Sequence, residues 1–142
     1  MRRIPRPETD PFDDPERKHR LIIGATKRIL KLLEQERKLL TDILVAEEES
    51  ALAKKDWERD RSPHKAKTRD ALFDKLERLE RTYREEFLPH EATSSGLRTL
   101  SWEKRLERVQ GNIEKQRSIL QSAARALERI RSSKTAPAPE SA

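Results

Sequence analysis

Between Trp102 and Ile130, side chains recur at alternating steps of four and three: Trp102, Leu106, Val109, Ile113, Gln116, Leu120, Ala123, Leu127 and Ile130. Only Gln116 interrupts the apolar character of this line. A helix carrying such a seam cannot bury it alone, so the pattern predicts a helix that lies against other helices. Its last half is apolar beyond the seam, because Ile119, Ala124 and Ala126 join it. An arc that wide predicts cover from more than one side.

A second line runs earlier in the chain, through Ile22, Ala25, Ile29, Leu32, Glu36, Leu39, Ile43, Ala46, Ser50, Ala53 and Trp57. Leu33, Leu40 and Leu44 widen it. Asp14-Pro15-Glu16 supplies an N-cap acid, a proline suited to the first helical position and an acid near the positive end of the dipole. No proline follows until Pro63, so the spacing predicts one helix over 15–61, about 70 Å long at 1.5 Å per residue. Ser62-Pro63 then predicts either a corner or a kink, with Ser62 as N-cap. Leu72, Leu76, Leu79, Tyr83 and Phe87 carry a second helix over 63–88, which Pro89 must end. His90 to Gly96 has loop composition, and the third helix is expected over 100–131.

These elements give the expected fold: all-α, an elongated three-helix bundle or antiparallel coiled coil with one very long N-terminal helix. Residues 14–131 form its helical domain, between a disordered arm at 1–13 and a disordered tail at 132–142.

Composition narrows the functional classes. Charged residues make up 41% of the 142, and Leu, Ile, Val and Phe together number 30, so the helices share a thin core. There is no cysteine, which removes disulfides and thiolate zinc sites. The apolar runs are too short to span a bilayer, and the N-terminus has no signal-like apolar stretch. An alanine-rich seam without interfacial aromatics also argues against membrane-surface binding. The expected location is intracellular, leaning to the nucleus over the cytoplasm.

Enzyme chemistry finds little support. His19, His64 and His90 lie at a helix start, a corner and a loop, without a carboxylate at metal-site spacing. Gly24, Gly96 and Gly111 stand singly, so no phosphate loop is present. Acidic runs such as Glu47-Glu48-Glu49 read as solvated helix faces. The expectation is a protein without catalytic, cofactor or metal residues and without a small-molecule substrate.

Net charge is +6, and residues 98–134 hold ten basic against four acidic side chains. On the heptad that places the seam at a and d, Lys104 and Arg125 fall at f, with Arg108, Lys115 and Arg129 at c. This stripe is the candidate for direct contact with nucleic-acid phosphates. Glu107, Glu114 and Glu128 beside it blunt its field, and no aromatic is interleaved for base stacking. A second basic group surrounds the corner, and Ser62-Pro63-His64-Lys65 fits the pattern favoured by proline-directed kinases. An N-cap role accounts for that serine without a kinase.

The expected function is a non-enzymatic helical scaffold or adaptor subunit, assembling with partner helices in a hetero-complex or homodimer. The basic regions lean the assembly towards chromatin or ribonucleoprotein. The residues expected to meet protein partners are Leu33, Leu40, Leu44 and Trp57 on the first helix, with Ile119, Ala123, Leu127 and Ile130 on the third. The alternative is direct nucleic-acid binding through the stripe on the third helix.

Overall fold

The computed structural model describes residues 14–88 and 100–135. The expected arm at 1–13, the 89–99 loop and most of the expected tail lie outside them. Three helices account for nearly all that is described: α1 (Pro15–Arg59), α2 (Pro63–Glu86) and α3 (Trp102–Thr135). The third runs four residues beyond its expected end, because Ser132 to Thr135 contain no helix breaker. The long first helix and the helical bundle are as expected.

The start and corner signals act as the local chemistry dictates. Asp14 caps α1, its Oδ1 accepting from the Glu16 backbone N–H at 3.1 Å. Ser62 is extended (φ −79°, ψ 151°), and its side chain accepts from the Lys65 backbone N–H at 3.2 Å. Ser62-Pro63 is therefore a corner, not a kink. Lys65 reaches back to Asp56 at 3.3 Å and Asp60 at 3.2 Å, and these carboxylates push its ammonium pKa upwards.

The chain forms two compact units, to which α1 and α3 both contribute. The terminal unit joins Met1–Lys31 with Ile113–Ala142, and the central unit is Leu32–Asn112.

In the terminal unit the start of α1 meets the end of α3, so the two segments are antiparallel. Glu16 bonds Lys134 at 2.7 Å and faces Arg131 at 3.5 Å. Those contacts, the Lys134 bond foremost, hold the Glu16 carboxyl below the usual range. Buried between the helices are Thr26 and Leu30 from α1 and Ile113, Ala123 and Leu127 from α3. The α3 side matches the sequence seam. The α1 side does not: Ala25 and Ile29, on the expected line, are exposed, and Thr26 and Leu30 replace them.

The reason lies in the pattern itself. Thr26, Leu30, Leu33, Arg37, Leu40 and Leu44 also follow alternating four and three steps. The polar Thr26 and Arg37 hide this line from a hydrophobic count. With it at a and d, the line read from sequence becomes g and c. Thus α1 carries two adjacent seams.

In the central unit both seams are used. Leu40 from the first is fully buried, as are Ile43 and Ala46 from the second, with Ser50 at 6% exposure. The second seam faces α2, which runs antiparallel to α1: Lys75 lies 3.9 Å from Glu49, and Tyr83 reaches Glu36. Small Ala46 and Ser50 allow close approach there. Full burial of a Leu or Ile is worth about 1.5–3 kcal/mol, so a few such positions dominate the stability of a thin core.

Candidate functional site

The most constrained cluster centres on Tyr83, which is completely buried. Its hydroxyl donates to Glu36 Oε1 at 2.6 Å. Its ring stacks with Phe87 at 5.2 Å between centroids and meets Trp102 edge-on at 5.2 Å. The Arg105 guanidinium lies 5.6 Å from the Tyr83 ring centre and 5.9 Å from that of Trp102, and its Nε donates to the Leu100 carbonyl at 3.3 Å. Burial, then the Glu36 carboxylate, pushes the phenol far above its ordinary pKa. A phenol held protonated and enclosed is a packing element: this cluster locks α2 onto α1 and α3. Glu36 and Arg105 both occupy g positions, on α1 and α3 respectively. In the central unit the g side is therefore where a third helix sits.

Glu47 stands near Glu80 and Glu103, one acid from each helix. Burial and then those two charges raise its pKa. Trp57 is half-buried, with Arg69 4.0 Å and Arg61 4.9 Å from its ring centre. It lines a groove with Ser50, Ala51, Arg69, Phe73 and Leu76.

The expected partner residues divide by burial. Leu40, Ala123 and Leu127 are 0%, 5% and 7% exposed, so they belong to the chain's own core and are not open to a partner. Leu33, Leu44, Trp57 and Ile130 are half-buried. Ile119 is exposed, and so are Leu21, Ile29, Leu32, Val45, Leu52 and Phe73, which the sequence did not single out as surface. The expectation that the last half of α3 is covered from more than one side is corrected. The terminal unit holds only two described helical segments, and Ile119 and Ala124 face outwards. The signal was present: Ile29 and Ile119 both occupy g positions once α1 is assigned its true seam.

The basic stripe is also redistributed. Lys104, Arg108, Lys115, Arg125 and Arg129 are all exposed, as a phosphate-contacting stripe requires. They divide between the units, however, with Lys104 and Arg108 in the central one. Residues 14–31 and 113–135 together contain twelve basic and four acidic side chains. Residues 32–112 contain seventeen and eighteen. The positive excess is thus not a property of the third helix alone. It arises where the first turns of α1 meet the last turns of α3.

Among the described residues, no group of three or more His, Cys, Asp or Glu could hold a metal ion, and no helix is long and apolar enough to cross a membrane. No protein-family model, curated protein or solved structure matches the chain.

Proposed function

We propose that this protein is a non-enzymatic helical scaffold or adaptor subunit whose exposed apolar faces take helices from protein partners. The observation carrying this reading is the set of large apolar side chains left outside the core: Leu32 and Phe73 are each 60% exposed, Leu52 59% and Ile119 45%. Scattered single residues would mean little. Here they continue helix faces already used for packing, which is the arrangement of an unfinished bundle. Net positive charge supports an intracellular assembly that includes nucleic acid, with a lean to the nucleus.

Direct nucleic-acid binding is the second reading, favoured by the concentration of twelve basic side chains among the described residues of the terminal unit. The two readings part experimentally. The tagged full chain is cross-linked in its native cells and its bound proteins and nucleic acids are quantified. The scaffold reading expects Phe73→Asp to remove protein partners, while Lys104→Glu with Arg125→Glu leaves them in place. Nucleic-acid cross-links lost only in the charge-reversed chain, with protein capture indifferent to Phe73, would overturn it. Leu127→Asp is unsuitable, because it would put a charge into the chain's own core.

A further inference from the structure

We infer that the terminal unit is a receptor for an acidic amphipathic helix, which docks along one side of its two helices as a third strand of the bundle. The inference deepens the scaffold reading, on which it rests, by naming the chemistry of one partner.

The side is defined by heptad position. In an antiparallel helix pair the g positions of both chains flank the seam on the same side, and the e positions flank it on the other. The g positions here are Ile22 and Ile29 on α1, and Ile119 and Ala126 on α3. Ile29 is 42% exposed and Ile119 45%, while Ile22 and Ala126 are half-buried. The Glu16 contacts to Arg131 and Lys134 set the register, placing residue 29 opposite residue 119. The two isoleucines therefore face one groove. Exposed Ala25, at c, extends its apolar floor on the α1 side. The opposite flank differs: its e positions include Arg20, Lys27, Arg117 and Arg131. Among the described residues of that flank only Ala124 is apolar and exposed, so the g side offers the larger apolar surface.

Two observations select the occupant. First, the central unit shows what this chain places on the g side, since Glu36 and Arg105 there both face Tyr83 of α2. The same heptad positions in the terminal unit lack a third described helix. A helix is the shape this side accepts. Second, the groove is bordered at its c positions by exposed Lys18 on α1 and by exposed Lys115 and Arg129 on α3. Among the described residues of the terminal unit no acid occupies a g or c position: Glu16 is at a, Glu114 and Glu128 are at b, and Asp14 is the cap. A second copy would bring another such cationic unit against the first, so like-charge repulsion opposes self-pairing. Nucleic acid would meet the cations but leave the isoleucines without apolar partners. A helix with leucines or isoleucines along one stripe and glutamates on both flanks satisfies both parts. The α1 side of the unit, residues 15–31, accommodates about 25 Å of it, roughly five turns.

The test uses the full chain and two fluorescent peptides of equal length. Both carry a leucine and isoleucine heptad stripe, flanked in one by glutamate and in the other by lysine. Fluorescence anisotropy should show the glutamate peptide binding and the lysine peptide not. Ile29→Gln with Ile119→Gln, which keeps the charge, should weaken binding at least tenfold, with helicity and melting by circular dichroism unchanged. Reversing Lys18, Lys115 and Arg129 to glutamate should invert the choice of peptide. Lys27→Glu with Lys31→Glu removes equal charge per site away from the groove and should alter binding less than threefold.

Equal binding by the glutamine pair and the parent chain would overturn the proposal, showing simple ion attraction. So would a duplex oligonucleotide bound in preference to the peptide, or a dimer in sedimentation that the glutamine pair dissociates. A large gain in affinity on deleting residues 1–13 would also overturn it, making that arm the resident occupant. Failure here with partner capture still lost in Phe73→Asp removes the groove and keeps the scaffold reading. Peptide binding as expected, with cellular partner capture indifferent to both Phe73 and Ile119, keeps the groove and removes the scaffold reading.

Discussion

Tyr83 shows how one side chain fixes an arrangement that a hydrophobic count treats as ordinary. Its ring supplies apolar contact to Phe87 and Trp102, while its hydroxyl finds Glu36. Burying that hydroxyl without the acceptor would cost about 1–3 kcal/mol, so the two residues specify each other. Glu47 is the opposite case. Its carboxyl is partly buried beside Glu80 and Glu103, and its pKa is raised. A carboxyl raised on folding holds its proton more tightly in the folded chain. Stability then falls as pH climbs from the ordinary carboxylate value through the folded one. Glu47→Gln should therefore melt at a higher temperature than the parent chain at pH 7, with the difference vanishing near pH 3. An equal difference at both pH values, measured by circular dichroism, would show that charge is not the cause.

Among the elements, α1 explains most of the molecule. One helix with two adjacent seams serves two neighbours in the central unit and, among the described residues, one in the terminal unit. The a and d line was legible only in part, because Thr26 and Arg37 interrupt it. The g and c line was read from the sequence as the main seam, and only its Glu36 to Trp57 portion is covered. Periodicity reports that a face is apolar; which partner covers it depends on where the other helices lie. Glycine gives a simpler element-scale expectation. A Cβ built at Gly24 or Gly111 meets nothing within 4 Å, and neither glycine has a positive φ. Each sits inside a helix, so its backbone freedom only disfavours the fold. Gly24→Ala and Gly111→Ala should each stabilise the chain by about 0.5–1 kcal/mol, read from urea unfolding. A loss of stability at either site would show that the small side chain is needed for packing.

For the whole molecule, the division of charge matters more than its total. The net +6 is distributed so that residues 14–31 and 113–135 carry the excess while residues 32–112 are nearly balanced. Self-repulsion loosens the first set and not the second, and salt screens it over a Debye length of about 10 Å at 0.1 M. Amide hydrogen exchange should therefore slow with added sodium chloride in α1 before Lys31 and in α3 after Ile113. Protection within residues 32–88 should stay nearly constant. A uniform response along the chain would refute an electrostatic difference between the units.

The sequence by itself determined the three helices, the caps at Asp14 and Ser62 and the seam of α3, and left Ser62-Pro63 open between a corner and a kink. Each of these depends on local backbone chemistry or on a period that one helix displays alone. It also displayed Ile119 and Ala126 as surplus apolar positions. Tertiary structure decided the rest: that Thr26 and Leu30, not Ala25 and Ile29, are buried, and that Leu40, Ala123 and Leu127 are closed to partners. It brought Glu36 and Arg105 to the same tyrosine and joined two modestly basic segments into one cationic unit. Those outcomes depend on which faces meet across 47 to 118 residues of chain, and burial is a property of the pair, not of either helix.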